Sequence, residues 1–383
     1  MMLPRFVRTQ KLAATAAHLM GFAPKQLRAA LRDICLFGAL AVLVLTSGSV
    51  RSMAQNRPSA EPAKGVQILL LGTHGGPSLE KDRSEPSSLL IVDGRPYLID
   101  CGIGTMRRLL EAGIRSETIR TIFITHNHPD HALGLVDVMA NDFLSVDFSR
   151  DPGSARTFDI YGPPQTAEVV NAAYSYIRIP YGVFAAENLG ASTLVNPFKA
   201  HNIDRNGLVY QDDKIRVTAA ENTHYQLMEA KYRARMKSYA YRFETPYGAI
   251  VFTGDTGPSD ALAQLAKGAD VLVSEVADLS AMPNAQQRRP DANRQPSPNE
   301  SALAKHMQME HLPIKDLGDM ATKARVKAVL MHHFVPANHT ERFISGVKKY
   351  YAGPVFAGED LARYCLGVPG GEAADAQTIS PCR

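Results

Sequence analysis

The sequence predicts a mixed α/β fold in which several buried strands end in polar residues that share one pocket. The first observation is Thr121–His131, where an apolar, β-branched run passes directly into three histidines and an aspartate. The second is that strand-like and helix-like apolar runs alternate along residues 66–357. The third is that His224, Asp255 and His333 also follow apolar runs. Strand ends on one edge of a sheet can converge, so we expect these side chains to meet.

Length and charge are those of a globular enzyme with a separate leader. The chain has 383 residues, of which 45% are hydrophobic and 7% aromatic, enough for one large α/β domain or two modest ones. Residues 1–54 hold seven Lys/Arg and one acid, a charge of +6, whereas the whole chain carries +4. The remainder therefore carries −2, which gives no support for nucleic-acid binding.

Residues 1–54 are predicted to be a signal peptide. Ile34–Leu45 is an apolar core of twelve residues, shorter than a membrane span, with basic residues before it and the cleavage-like Ser52–Ala54 after it. The alternatives are an uncleaved N-terminal membrane anchor and a buried core helix. With cleavage, we expect a periplasmic or secreted protein without stable membrane association.

The rest of the chain divides into a linker, a domain and a tail. Residues 55–65 are polar and contain proline, the folded domain is expected over residues 66–360, and residues 361–383 form a Gly/Pro-rich tail. Cys365 and Cys382 bracket that tail and could pair in an oxidising compartment.

The elements of the domain follow from apolar runs, their spacing and the turn residues between them. Strands are predicted over residues 66–71, 87–92, 96–99, 121–124, 158–161, 195–201, 208–211, 215–219, 236–244, 249–253, 269–274, 326–331 and 355–357. Helices are predicted over residues 106–112, 132–139, 166–176, 258–266, 301–309, 314–325 and 340–350. The polar, Pro-rich residues 283–300 are predicted to be a loop or a disordered excursion.

Four metal-capable side chains lie within six residues, at His126, His128, Asp130 and His131. Neutral imidazole and carboxylate are the ligands that zinc and similar ions prefer outside thiolate sites. A loop can direct the first two at one ion and the last two at another. The alternative is a polar surface loop with chance histidines, and the metal-capable residues at other strand ends count against it.

These segments resemble, in sequence order, the metallo-β-lactamase-fold hydrolases, closest to their ribonuclease Z and arylsulfatase-like branch. The residues that carry the resemblance are Leu71–Thr73, Gly75–Gly76, Leu98–Gly102, Gly104–Thr105, Thr125–His131, His224, Thr253–Thr256 and His333. The resemblance implies an α/β fold of four layers, an αββα sandwich, with a two-metal site.

The resemblance also implies a role for each ligand. One ion would be held by three imidazoles, those of His126, His128 and His224. The second would be held by Asp130, His131 and His333, with Asp255 bridging the two. The cofactor expected is two Zn²⁺, with manganese or iron as alternatives. Seven protein ligands for two ions leave positions for water, which is typical of a catalytic site.

Other polar residues are assigned less specific roles. Asp130 would also orient the attacking water or accept its proton, and His311 would protonate the leaving group or steady the oxyanion. For His311 the alternative is an ordinary surface histidine. His332 and His333 are alternatives for one ligand position. His333 is favoured, because side chains alternate along a strand and His332 would then point away from the site.

A further set stays open between functional and structural roles. His74 and Tyr181 are candidate substrate-pocket residues. The alternative for His74 is a solvated histidine in a loop, and the alternative for Tyr181 is a residue packed at the edge of the core. Asp100 would either hydrogen-bond a ligand histidine or cap a turn. The role of Glu275 is open, and His201 and His306 are interpreted as structural or exposed.

The predicted function is an exported, dinuclear zinc hydrolase in which ion-activated water attacks a small ester, most readily a phosphodiester or aryl sulfate ester. The sequence lacks the long Gly/Lys-rich arm with which ribonuclease Z holds tRNA. We therefore expect a small-molecule substrate and no nucleic-acid partner. The alternatives are a lactonase, thioesterase or β-lactam hydrolase, a ribonuclease Z-like endonuclease, and a non-catalytic metal-binding protein. The oligomeric state is open, a homodimer being one alternative.

Overall fold

A computed structural model describes the chain over residues 64–147, 157–187, 196–281, 297–366 and 379–382. The predicted signal peptide, most of the linker and excursion, and the middle of the tail lie outside the described residues. Within the described part, no helix is both long and apolar enough to cross a membrane.

The strands agree closely with the apolar runs of the sequence. In chain order they are β1 (Val66–Gly72), β2 (Ser87–Val92), β3 (Arg95–Ile99), β4 (Thr121–Phe123), β5 (Phe158–Gly162), β6 (Phe198–Asn202), β7 (Gly207–Gln211), β8 (Arg216–Glu221), β9 (Tyr239–Thr245), β10 (Gly248–Phe252), β11 (Val271–Ala277), β12 (Val329–Val335), β13 (Val355–Ala357), β14 (Arg363–Leu366) and β15 (Ser380–Pro381).

The helices lie between these strands. They are α1 (Thr105–Glu111), α2 (Pro129–Ala132), α3 (Leu135–Asp147), α4 (Thr166–Ala186), α5 (Ala230–Arg233), α6 (Asp260–Leu265), α7 (Pro298–Met309), α8 (Ile314–Ala324) and α9 (Glu341–Val347).

The strands form two sheets. Over the described residues, the first has the order β15-β14-β1-β2-β3-β4-β5-β6 and the second the order β13-β12-β11-β10-β9-β8-β7. In the first sheet β3 to β6 are parallel, and in the second β10 to β13 are parallel. The carboxyl ends of parallel strands are where α/β proteins place their polar sites.

Three apolar clusters show that the layers are helix, sheet, sheet and helix. The inner faces of both sheets pack on each other through residues such as Phe123 and Phe243, whose ring centroids are 5.2 Å apart. The outer face of the first sheet packs on α1, α3 and α4, and that of the second on α6, α8 and α9. The predicted four-layer αββα architecture is confirmed.

Several elements differ from the prediction: β12 continues to Val335, which places His333 inside the strand, and the short helix α5 was not predicted. Helix α4 continues to Ala186 through Pro180, whereas we expected it to end at residue 176. Residues 132–139 hold the end of α2 and part of α3, where one helix was predicted. Proline usually ends a helix because it removes a hydrogen bond. Here the packing of Tyr181 on Phe143, with ring centroids 5.5 Å apart, extends α4 beyond that point.

The sheet also continues past the expected domain end at residue 360. β14 pairs antiparallel with β1, and β15 pairs with β14. Tyr364 and Leu366 point into the core between the sheets, and a disulfide joins Cys365 to Cys382. The described parts of the predicted tail therefore contain the last two strands at one side of the first sheet, with β15 at the edge and β14 between it and β1.

Candidate active site

The histidine-rich segment lies where β4 ends. Helix α2 begins with Pro129, which suits the first helical position, and carries Asp130 and His131 inward. His126, Asp130 and His131 are buried, and His128 is half-buried. The segment is therefore directed into the protein and does not form a solvated surface loop.

The second sheet supplies the remaining predicted ligands. His224 follows β8, Asp255 follows β10, and His333 lies inside β12 with a left-handed φ of 47°. All three side chains are buried. The residues that sequence analysis placed at separate strand ends meet at the rim between the sheets.

The predicted ligands fall into two groups that share one carboxylate. In each group the candidate ligand atoms lie within 4.8 Å of one another. The first group is His126, His128, His224 and Asp255. The second group is Asp130, His131, Asp255 and His333. This arrangement matches the assignment that the resemblance implied, with Asp255 between the two groups.

The donor atoms of this cluster fit a divalent metal. Among the described residues, Nε2 of His126 is buried without a hydrogen-bond partner. The Nε2 atoms of His131 and His333 lie 3.3 and 3.1 Å from the carboxylate oxygens of Asp255, without the geometry of a hydrogen bond. Leaving a buried polar atom unpaired costs about 1–3 kcal/mol. Several such atoms directed at one another are stabilised by a cation, and imidazole with carboxylate is a donor set that zinc accepts.

Burial keeps the first group of histidines neutral. It lowers the pKa of His126 and His224 well below the ordinary value and lowers the pKa of His128 to about 4. Neutral imidazole is the form that binds metal ions.

The second group has the opposite balance. Burial lowers the pKa of His131 and His333, but the carboxylates around them, led by Asp255, outweigh that effect. The pKa of His131 rises well above its ordinary value, and the pKa of His333 rises to about 10. Without a cation, these two rings therefore carry protons that balance the buried carboxylates.

Asp100 positions His131. Its Oδ2 lies 2.9 Å from Nδ1 of His131, and its Oδ1 accepts a hydrogen bond of 2.7 Å from the backbone N–H of Thr125. Of the two roles left open by the sequence, the structure places Asp100 against the candidate ligand. This bond directs Nε2 of His131 at the cluster.

The glycines after β1 allow the backbone to approach two candidate ligands. The N–H of Gly76 donates a hydrogen bond of 3.0 Å to Oδ2 of Asp130, and a Cβ at Gly76 would overlap that side chain. A Cβ at Gly75 would lie 2.9 Å from Nδ1 of His333. The loop is thus shaped to hold the second group.

His311 lies in a chain of hydrogen-bonding groups beside the cluster. Its Nδ1 is 2.6 Å from Oε2 of the buried Glu275, and its Nε2 is 3.3 Å from Nε2 of His306. His306 in turn places Nδ1 2.6 Å from Oε2 of Glu310. Burial lowers the pKa of His311, but the carboxylate of Glu275 more than offsets this and raises it. His311 is therefore not an ordinary surface histidine.

Three other residues complete the environment. His74 is buried, with Nε2 2.6 Å from the carbonyl oxygen of Ser78, and is not a solvated loop residue. Tyr181 packs on Phe143 in the outer helical layer, and its described ring contacts do not include the cluster. His332 is buried but belongs to neither ligand group.

Sequence analysis missed Tyr225 and gave His306 no functional role. The ring centroid of Tyr225 lies 5.2 Å from that of His128 and 5.1 Å from that of His224. Its position directly after His224 was the only available signal. His306 comes near His311 because the chain turns after α7, and no helical spacing predicts this.

Comparison with known proteins agrees with this geometry. The description "Beta-lactamase superfamily domain" matches residues 95–334. Ribonuclease Z of Mycobacterium bovis is 29% identical, over 78% of this chain and 97% of the relative. Ribonuclease Z of Mycobacterium avium is 30% identical, over 79% of this chain and 99% of the relative. The crystal structure of the short form of human tRNase Z shares the fold, with a TM-score of 0.52 at 19% identity, over 79% of this chain and 99% of that one.

One expectation is wrong. We expected a small-molecule ester as the substrate and no nucleic-acid partner, but the relatives are named as ribonucleases. The expectation relied on the missing Gly/Lys-rich arm and the predicted export, together with a net charge averaged over the body of the chain. Nucleic-acid binding depends instead on local groups of cations, which none of these three observations describes. The matched residues and the arrangement of the cluster lead to one conclusion: the chain belongs to the β-lactamase superfamily, as a metallo-β-lactamase-fold, metal-dependent hydrolase related to ribonuclease Z.

Proposed function

We propose that this protein hydrolyses phosphodiester bonds in RNA at a site that binds two zinc ions. The observation that carries the proposal is the pair of candidate ligand groups sharing Asp255, whose donor atoms lie within 4.8 Å of one another in each group. The ribonuclease Z relatives support RNA as the substrate class.

Each ion would be held by its own set of side chains, with one carboxylate shared. His126, His128 and His224 would hold one ion, Asp130, His131 and His333 the other, and Asp255 both. Bound there, the ions supply Lewis acidity that lowers the pKa of water and neutralises charge on phosphoryl oxygens. Asp130 also accepts the hydrogen bond from Gly76 on Oδ2, the oxygen that faces His333, and this bond holds the carboxylate against the second group, where it would orient water.

His311 is assigned to the leaving oxygen. Burial lowers the pKa of His311, but the carboxylate of Glu275 more than offsets this and raises it, which favours the protonated form that a general acid needs. With Nδ1–H bound to Glu275, Nε2–H is the proton that His311 can deliver. The lone pair of His306 Nε2 can receive that same bond between turnovers, while Nδ1–H of His306 donates to Glu310.

A matched pair of histidine variants tests the site. His333→Ala removes a side chain of the second ligand group, whereas His332→Ala removes a buried neighbouring imidazole outside both groups. We expect His333→Ala to lower bound metal and to abolish cleavage of an RNA substrate, and His332→Ala to retain both. Circular dichroism checks that each variant folds. RNA cleavage by His333→Ala at the rate of the unaltered protein would refute the proposal.

We also propose that the mature protein acts outside the cytoplasm. The disulfide between Cys365 and Cys382 supports this, because such bonds persist in oxidising compartments. The apolar segment Ile34–Leu45 supports it independently. Cell fractionation with thiol labelling tests the proposal: finding the protein in the cytoplasm with both thiols free would contradict it.

A further inference from the structure

A second polar feature lies far from the histidine cluster, between the carboxyl ends of α8 and α9. A cleft of about 480 Å³ is lined by basic side chains and by Tyr350. The basic residues are Arg325, Lys327, Lys348 and Lys349. No Asp or Glu belongs to its lining, although the body of the protein carries a net negative charge. The cleft is therefore a local concentration of positive charge.

Most of these cations are uncompensated. Lys327 pairs with Asp270, with Nζ 2.7 Å from Oδ1. Within the described ranges, Arg325, Lys348 and Lys349 have no ion-pair partner, and all three are exposed. Like charges held together without anions repel one another, and an anionic ligand relieves that repulsion.

Helix ends account for only part of the arrangement. Cations are favoured at helix carboxyl termini by the helix dipole, which explains Arg325 and Lys348 individually. The backbone of Arg325 is left-handed, with φ of 54°, where glycine is preferred. A long cationic side chain at that position carries a conformational cost that the helix does not require.

An aromatic ring completes the cleft. Tyr350 is 40% exposed and lies next in sequence to the two lysines. Nζ of Lys315 lies 5.3 Å from the centroid of its ring, so that one face already contacts a cation. The backbone of Tyr350 is fixed, because the hydroxyl of Thr322 donates a hydrogen bond of 2.7 Å to its carbonyl oxygen. An exposed ring among cations is the combination on which single-stranded nucleic acids bind, through base stacking and phosphate contacts.

We propose that this basic cleft is an exosite for single-stranded RNA, in which the three unpaired cations contact phosphates and Tyr350 stacks on a base. The inference rests on the proposed function, which supplies RNA as the partner class. Lys327 lies two residues before β12 and His333 near the end of that strand, so that they are about 20 Å apart at the usual rise per residue of an extended chain. Only a substrate much longer than one phosphodiester can therefore reach both places.

Neutralising the cleft provides the test. The triple variant Arg325→Gly, Lys348→Ala, Lys349→Ala is compared with Lys64→Ala, Lys199→Ala, Arg205→Ala, which removes the same kinds of exposed cation elsewhere. Binding of a fluorescently labelled oligouridylate with phosphorothioate linkages, which resist cleavage, is measured on the metal-loaded protein. We expect the cleft variant to bind roughly tenfold or more weakly, with a salt-dependence slope smaller by about two. Equal affinity in the two triple variants overturns the proposal.

Two single changes separate binding from structure. Arg325→Gly relieves the left-handed backbone, so we expect weaker RNA binding with an unchanged or higher unfolding midpoint. Tyr350→Phe keeps the stacking surface and should retain affinity, whereas Tyr350→Leu should lose it. Loss of affinity in Tyr350→Phe equal to that in Tyr350→Leu would exclude stacking.

Catalytic assays distinguish this inference from the proposed function. With the metal-loaded protein, the cleft variant should raise KM for RNA and leave hydrolysis of bis(p-nitrophenyl) phosphate unchanged. Cleft-dependent RNA binding without RNA cleavage would uphold the exosite and refute the proposed function. RNA cleavage with the same KM in the cleft variant and the unaltered protein would uphold the proposed function and refute the exosite. Loss of binding to phosphatidylglycerol vesicles, with RNA affinity retained, would assign the cleft to a membrane surface and overturn the exosite.

Discussion

Nδ1 of His311 lies 2.6 Å from Oε2 of Glu275, a carboxylate that is completely buried. Glu275 also accepts a hydrogen bond from the backbone N–H of Thr256, next to Asp255. Burial raises the pKa of Glu275, while the charge of His311 opposes this rise. The pair is thus one unit that holds the ring of His311 beside the candidate metal ligands.

This unit predicts a dependence on the leaving group. His311→Ala should slow RNA cleavage by about 10²–10⁴-fold, the range for loss of a general acid. Hydrolysis of bis(p-nitrophenyl) phosphate should fall much less, because p-nitrophenolate leaves without protonation. Single-turnover rates on both substrates measure the difference, and metal analysis checks that the ions remain bound. An equal loss on both substrates would argue against proton donation.

The glycine loop predicts that a single methyl group disturbs the site. Gly76→Ala should displace Asp130, lower metal content and lower the hydrolysis rate at least tenfold, because the added Cβ overlaps the carboxylate. Gly182→Ala, in α4 with open space around it, is the matched control and should stabilise the fold by about 1 kcal/mol. Metal analysis and thermal unfolding report the two effects. A fully active Gly76→Ala variant would show that this contact does not matter.

The bond between Asp100 and His131 predicts an effect on metal affinity. Asp100→Asn should weaken zinc binding about 10–100-fold, because an amide orients the imidazole less strongly than a carboxylate. Asp142→Asn changes a buried carboxylate that accepts a hydrogen bond from Ser116, outside both ligand groups, and should leave affinity unchanged. Competition with a chromogenic chelator measures both constants. Similar zinc affinities in the two variants would show that Asp100 does not position His131.

The protons on His131 and His333 predict that metal binding depends on pH. Both pKa values are raised in the metal-free protein, that of His333 to about 10, so both rings must lose a proton before they bind an ion. Apparent zinc affinity should therefore rise between pH 6 and pH 8, by about tenfold per unit for each proton released. Calorimetry in buffers of different ionisation enthalpy counts the protons. Binding without proton release would contradict the assignment of these two ligands.

The sequence predicts the ligand cluster because most of the ligands lie at or near the end of an apolar run, although His333 lies inside β12 and not after it. Strand ends are set by local pattern, and parallel neighbours bring those ends together without further information. His126, Asp255 and His333 could be assigned on that basis together with the family resemblance.

What could not be predicted depends on tertiary packing. Tyr181 is of a residue type common in substrate pockets, but its ring packs on Phe143 in the outer helical layer. The approach of His306 to His311 depends on the turn after α7. β14 was concealed by the Gly/Pro-rich residues that follow it, although Tyr364 and Leu366 alternate as a core-facing strand requires.

The ligand set draws on both sheets, since His126, His128 and His131 follow β4 while His224, Asp255 and His333 belong to the other sheet. Each sheet has its own ladder of backbone hydrogen bonds. Ions bound to all of these groups would link the two sheets at one rim of the sandwich. Their binding energy would therefore also stabilise the packing of one sheet on the other. The same atoms would then determine both the hydrolytic activity of the protein and its thermal unfolding midpoint.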